Sequence, residues 1–170
     1  MRFGSILLTV AAALVIQMAI AQFTMGGRWI FDLVLVAVVL AGLEWGPPAG
    51  IMAGTIGGLS EDLLSGGVVG VGGLAKTLVG FAAGAIGSQF VLTTAPGRTL
   101  ILAGASVVHR LLMLALFGVI DQQWPHVSWA AMLTETAING FCGWMVFHGL
   151  NTLPGAMERR RGSRRVTRRP

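Results

Sequence analysis

The sequence has 170 residues, of which 54% are hydrophobic and only 11% are charged, and its mean hydropathy is +0.76. Soluble domains carry about 25% charged residues, and a soluble chain of this length has too little interior to bury so much apolar surface. The composition therefore excludes a soluble globular domain and predicts an all-α integral membrane protein. Cys142 is the only cysteine, which excludes an intramolecular disulfide bond.

Six apolar stretches follow one another along the chain, separated by segments rich in glycine, proline or polar residues. They cover residues 3–23, 29–43, 48–64, 74–90, 100–120 and 130–150. A membrane-spanning helix needs about 20 residues, so the first, fifth and sixth stretches are long enough and the other three are short. Because the connections are short, we expect successive helices to be antiparallel neighbours in a bundle of six transmembrane helices over residues 1–154.

The first stretch also has features of a signal peptide, because Arg2 precedes an apolar run that ends in Ala-Ile-Ala at residues 19–21. The run reaches about 20 residues, whereas the apolar core of a signal peptide has about 7–15. We therefore predict that it is retained as the first helix.

Most of the positive charge lies in residues 155–170, which form a basic tail after the last apolar stretch. Its seven arginines are Arg159, Arg160, Arg161, Arg164, Arg165, Arg168 and Arg169. Such a cluster predicts binding to anionic membrane lipid, worth about 1 kcal/mol per residue near the surface. RNA is the alternative partner, but the rest of the chain is close to neutral, so we predict no nucleic-acid ligand.

The placement of Lys and Arg predicts the orientation in the membrane. With six spans both termini lie on one side, and that side receives Arg2, Arg98 and the basic tail, whereas the other receives Arg28 and, at its membrane edge, Lys76. The bias predicts that both termini are cytoplasmic. Trp at the ends of several stretches is typical of residues in the headgroup layer.

Small residues recur at every fourth position in the third and fourth stretches. The helix-packing candidates are Gly50, Gly54, Gly58, Gly80 and Gly84. Residues at this spacing share one helix face, and small side chains there let two membrane helices approach closely. We predict that the third and fourth helices pack along these glycines; the alternative is that glycine is simply common in membrane helices.

Charged residues flank the glycine-rich loop 65–73 between these two helices. Asp62 and Lys76 are expected at the same membrane face, where pairing would lower the cost of each charge. An Asp62–Lys76 ion pair is one interpretation. The other is that Glu61, Asp62 and Ser65 contact a partner protein.

Arg110 falls near the middle of the fifth stretch, where a charge costs at least about 2.5 kcal/mol. We therefore expect its side chain inside the bundle, hydrogen-bonded to Glu135, Asn139 or both in the sixth helix. Asp32 and Glu44 lie at opposite ends of the second stretch and are expected to reach the membrane interfaces.

No catalytic motif is apparent in the sequence. His109, His126 and His148 are far apart, and neither a zinc-protease HExxH motif nor a GxxxxGK phosphate loop occurs. We expect no enzymatic activity and no cofactor.

The segment 54–81 resembles the central block of the rod shape-determining protein MreD family. It has a glycine-rich helix that ends in Asp-Leu-Leu-Ser-Gly at 62–66, followed by a second helix that ends in Val-Gly-Phe at 79–81. The Asn-Gly pair at 139–140 and the basic tail also resemble that family.

The resemblance implies a non-catalytic scaffold of the cell-wall elongation machinery in the bacterial inner (cytoplasmic) membrane. The implied partners are an MreC-like bitopic protein and further elongasome proteins, namely MreB-like and RodA-like proteins and a class B penicillin-binding protein. The implied fold is similar to the six-helix substrate-binding components of energy-coupling-factor importers. A vitamin-type substrate-binding component of an importer is the alternative function, and it would require a polar cavity.

Overall fold

A computed structural model of the chain describes residues 2–23, 31–66, 68–90, 95–121 and 129–152. These residues form six helices: α1 (Arg2–Phe23), α2 (Leu33–Trp45), α3 (Pro47–Ser65), α4 (Val71–Gln89), α5 (Ala95–Asp121) and α6 (Trp129–Thr152). The predicted all-helical class is confirmed. The basic tail lies outside the described residues, as do Arg28 and His126.

Proline begins helices here and does not separate them. Pro47 and Pro48 occupy the first turn of α3, directly after Gly46, whose φ of 89° is accessible to glycine. Pro96 falls in the segment between the fourth and fifth apolar stretches, which was expected to separate two helices, but it lies in the first turn of α5. The first turn tolerates proline because its N–H groups have no partner within the helix.

Helix α2 lies at the centre of the bundle and contacts each of the other five helices. Its residues from Val34 to Gly42 are all buried. One apolar cluster packs α2 against α1 and α3 around Val10, Val38 and Ala53. A second packs α2 against α4 and α5 around Leu35 and Leu102.

Helices α3 and α4 form the closest pair in the bundle. A Cβ added at Gly58 would lie 2.6 Å from the Cα of Gly73, and one added at Gly84 would lie 2.5 Å from the Cα of Pro47. Gly50 and Gly80 also face each other with backbone against backbone. The helices therefore meet along the predicted glycines, since any larger side chain would force the two backbones apart.

Three of the described helices are long and apolar enough to cross a membrane: Phe3–Ala21, Val71–Gln89 and Pro96–Ile120. The apolar helix Leu33–Trp45 is shorter. Large apolar side chains on the outside of the bundle, including Leu8 and Leu100, are about three-quarters exposed at 73% and 75%. A surface of this kind is stable against lipid and unfavourable against water.

Candidate functional site

Lys76 is buried inside the bundle, where it bridges two carboxylates. Its Nζ lies 2.7 Å from Asp32 Oδ2 and 2.9 Å from Glu61 Oε2, and its side chain is only 4% exposed. An isolated ammonium group at such a position would be very costly, and direct contact with carboxylates offsets much of that cost. Lys76 therefore joins α4 to α3 and to the start of α2.

Two amide side chains extend these ion pairs to α1 and α6. Gln17 on α1 donates from Nε2 to Glu61 Oε1 at 2.8 Å and accepts from the backbone N–H of Val34 at 3.1 Å. Asn139 on α6 accepts from the backbone N–H of Asp32 at 2.8 Å. Both amide residues are fully buried.

The same contacts satisfy the exposed N–H groups at the start of α2. Asp32 is its N-cap, and its Oδ1 accepts from the N–H of Leu35 at 2.7 Å. Since the first N–H groups of a helix have no partner within the helix, side chains must satisfy them when the helix begins inside a protein. The position of α2 in the bundle thus depends on Gln17, Asp32 and Asn139.

Helix α5 adds Ser106 and His109 to the group. Asn139 Nδ2 lies 3.4 Å from Ser106 Oγ, and His109 Nδ1 lies 3.9 Å from Asp32 Oδ2. The His109 side chain is 7% exposed, and neither of its ring nitrogens has a hydrogen-bond partner among the described residues. His109 is therefore a buried polar group that faces a carboxylate without being bonded to it.

Together these side chains form one polar network to which every helix contributes. Its members are Gln17, Asp32, Glu61, Lys76, Ser106, His109 and Asn139. They lie towards the end of the bundle where α1 and α3 finish and α2 and α4 begin. That end is opposite to the N-terminus of α1.

Asp62 lies beside this network but has a separate structural role. Its Oδ2 accepts from the N–H of Gly70 at 2.8 Å and from that of Gly73 at 3.1 Å, at the start of α4. The predicted Asp62–Lys76 ion pair is therefore wrong. Asp62 bonds backbone N–H groups where the loop joins α4, while the Lys76 ammonium group lies against Asp32.

Two further expectations about exposed charges are also wrong. Asp32 was expected at a membrane interface, but it is 7% exposed because Lys76 and the start of α2 surround it. Glu61 was expected at a partner surface, but its side chain is 14% exposed and is held by Gln17 and Lys76. Of the proposed partner-contact residues only Ser65 is exposed, and its Oγ donates to the carbonyl of Asp62.

Arg110 and Glu135 form a second charged pair that lies nearer the surface of the bundle. Arg110 Nη1 lies 3.7 Å from Glu135 Oε2, and the two side chains are 43% and 19% exposed. The pairing with Glu135 agrees with the sequence-based expectation, but the burial of Arg110 does not. Asn139, the other expected partner, is bonded to Asp32 and Ser106 instead.

At the opposite end of the bundle, Arg98 at the start of α5 pairs with Glu44 at the end of α2. Arg98 is buried, whereas the Glu44 side chain is 32% exposed. Glu44 thus reaches the edge of the bundle, as expected, and Asp32 at the other end of α2 does not.

Sequence reasoning missed four members of the buried network: Gln17, Asp32, Glu61 and Ser106. Gln17 carried a signal, since it is an amide side chain within a mainly apolar stretch of α1. Ser106 carried none, because serine is common in membrane helices and can bond its own backbone, as its bond to the carbonyl of Leu102 shows.

A family model described as 5TMR of 5TMR-LYT matches residues 2–148, which covers all six helices nearly to their end. The chain belongs to the 5TM-5TMR_LYT family. No curated protein and no solved structure matches this 5TM-5TMR_LYT chain.

Membership of the 5TM-5TMR_LYT family shows that the predicted resemblance to MreD is wrong. An Asp-Leu-Leu-Ser-Gly block after a glycine-rich helix has a simpler physical reason here, since Asp62 bonds backbone N–H groups where the loop joins α4 and glycines allow close packing. The 5TM-5TMR_LYT family is a five-transmembrane family, and with several apolar helices the chain is a multi-pass membrane protein. The structure has six helices in its described residues, and the shortest is the central helix α2.

Proposed function

We propose that this protein is a non-catalytic membrane module that responds to protons through its buried polar network. The observation that carries the proposal is a charge imbalance inside the bundle. Asp32 and Glu61 share the single ammonium group of Lys76, so one negative charge is uncompensated when His109 is neutral. An uncompensated charge in a membrane interior is strongly unfavourable, and uptake of one proton removes it.

The geometry offers two places for that proton. His109 Nδ1, which has no hydrogen-bond partner within the described ranges, faces Asp32 Oδ2. Protonation of His109 would make the network neutral. Protonated Glu61 would give the same net charge and keep its bond from Gln17. Of the other charges near the network, Arg110 and Glu135 pair with each other, and Asp62 accepts from the N–H groups of Gly70 and Gly73.

Proton uptake would alter how the helices pack, because the residues around the proton site belong to different helices. His109 lies on α5, whereas Asp32 starts α2 and Lys76 lies on α4. A new bond between His109 Nδ1 and Asp32 would draw α5 towards α2, while its absence leaves this buried nitrogen unsatisfied, at a cost of about 1–3 kcal/mol. The gain from the His109–Asp32 bond opposes the cost of repacking α5 against α2. Two packing states with such opposing terms can form a switch.

Two cavities among the described residues bear on the alternative of a vitamin-binding importer component. One, of about 290 Å³, lies between α4 and α5 and is lined by Val79, Ile86 and Ile101 among others. The other, of about 380 Å³, lies between α1, α2 and α6 and is lined mainly by apolar side chains such as Leu40 and Met145. Neither of these two cavities offers the convergent polar groups that orient a polar ligand.

The cell-wall role and its partners rested on the resemblance to MreD, which the family assignment overturns. They stay untested predictions. For the location we propose an inner membrane with both termini cytoplasmic, supported by the distribution of Lys and Arg. In that orientation the polar network lies in the outer half of the bundle.

The test is infrared difference spectroscopy of the protein in lipid nanodiscs after a pH step. We expect a titrating band from a buried carboxyl or imidazole group in the wild type, and its loss or shift in Glu61→Gln and His109→Asn. The matched control is Glu44→Gln, which removes a carboxylate at the other end of α2 and should leave the band unchanged. A wild-type protein in which no buried group titrates after the pH step, or a band that all three variants retain, would contradict the proposal.

A further inference from the structure

The Arg110–Glu135 pair lies on the outer surface of α5 and α6, within the membrane-spanning part of α5. The apolar segment of α5 runs from Pro96 to Ile120. At 1.5 Å per residue, Arg110 is about 21 Å from the first of these residues and about 15 Å from the last. Its guanidinium group is therefore near the middle of the apolar layer.

Arg110 cannot escape this layer by extending to the membrane surface. Helix side chains tilt towards the N-terminus of their helix, so Arg110 leans towards the more distant end, about 21 Å away. A long side chain reaches the interface only when it starts near a helix end. With 43% of its side chain exposed, Arg110 is a charge that faces lipid in the isolated chain.

The contact with Glu135 only partly compensates this charge. The distance of 3.7 Å between Arg110 Nη1 and Glu135 Oε2 exceeds that of a hydrogen bond. Within the part of the chain that the structure describes, Arg110 donates no hydrogen bond. A guanidinium group has five N–H donors, and lipid tails provide no acceptor for them.

Residues three or four positions away share the helix face of this pair. Those flanking positions are apolar and half-buried: Val107, Leu114, Met132 and Ile138. An apolar surface with a single charge pair at its centre is unfavourable in lipid but suits a helix interface, in which polar groups bond across the contact.

We propose that this surface pairs two copies of the chain, with Arg110 of each copy bonded to Glu135 of the other. Copies that insert in the same direction are related by a two-fold axis along the membrane normal, so equivalent residues keep their depth. The contact between Arg110 and Glu135 shows that the two residues lie at nearly the same depth. The surface around Arg110 and Glu135 can therefore pair with the same surface of a second copy, each arginine opposite a glutamate, as an isologous interface requires.

Exchanging the two charges between chains tests this interface. Arg110→Glu and Glu135→Arg each break the contact within a chain and place like charges across the two-fold axis. Each variant alone should lose the dimer in native mass spectrometry from nanodiscs. A mixture of the two, coexpressed, should regain it, because Arg110→Glu chains then meet Glu135→Arg chains with opposite charges at both contacts.

The double variant Arg110→Glu, Glu135→Arg controls for folding, since it restores both the internal contact and the contact across the axis, and it should dimerise like the wild type. Mixing cannot repair a contact within one chain, so recovery in the mixture reports the interface alone. Wild-type chains that remain monomeric would overturn the proposal. This holds also if an anionic lipid or a helix of another protein is found bound to the monomer. A dimer that both single variants retain would overturn it as well.

Discussion

At the residue scale, the stability of the bundle depends on the ion pairs around Lys76. We expect Lys76→Met to strand Asp32 and Glu61 as like charges in a buried site. Removal of one partner from a buried ion pair costs about 3–5 kcal/mol, mostly because the surviving charge loses its compensation. Thermal unfolding in detergent should therefore show a strong loss of stability for this variant.

The matched control neutralises all three groups at once. The triple variant Lys76→Met, Asp32→Asn, Glu61→Gln leaves no stranded charge, and the amide oxygen introduced at position 32 can still accept from the N–H of Leu35, as the Asp32 carboxylate does now. It should recover most of the stability that Lys76→Met loses. Equal stability of Lys76→Met and the wild type would show that the network is not held by its charges.

At the element scale, the close packing of α3 on α4 depends on the absence of side chains. A Cβ at position 58 would lie 2.6 Å from the Cα of Gly73, and backbone on both sides leaves no flexible group to move aside. We expect Gly58→Ala to destabilise the protein by about 1–3 kcal/mol through overpacking, measured as a lower unfolding temperature and a lower abundance in the membrane.

Gly104 on α5 offers a matched control. The same substitution to alanine can be made there, and nothing lies within 4 Å of the added Cβ. Gly104→Ala should be neutral or stabilising by up to about 1 kcal/mol, since alanine favours the helix more than glycine does. If Gly58→Ala and Gly104→Ala behave alike, the glycines of α3 serve helix flexibility and not contact.

At the scale of the whole molecule, the orientation in the membrane decides which compartment supplies protons to the network. The described side chains place Arg98 at the end of the bundle opposite to Lys76. Together with the arginine-rich tail, this distribution predicts cytoplasmic termini. Alkaline phosphatase fused after Pro170 should be inactive, and green fluorescent protein at the same position should fluoresce.

The reverse pattern, active phosphatase and no fluorescence, would place the network in the cytoplasmic half of the bundle. A proton response would then report cytoplasmic pH. A pH step applied to only one side of sealed vesicles would distinguish the two cases independently of the fusions.

The sequence by itself determined that the chain is helical and membrane-embedded, because apolar stretches of this length have few other stable states. It also determined that α3 and α4 pack closely, since glycines four residues apart share a helix face regardless of the rest of the fold. It identified Lys76, Arg110, Glu135 and Asn139 as notable, because polar groups in apolar helices are costly wherever they lie.

Only the tertiary structure decided which of these groups meet. Asp62 and Lys76 are close in sequence, yet Lys76 bonds Asp32, which precedes it by 44 positions, and Asp62 bonds backbone N–H groups. Pairing depends on the rotation and depth of each helix about the central α2, and a shift of one residue turns a side chain by about 100°. The charge imbalance at Asp32, Glu61 and Lys76 arises from that three-dimensional convergence, and no spacing along the chain encodes it.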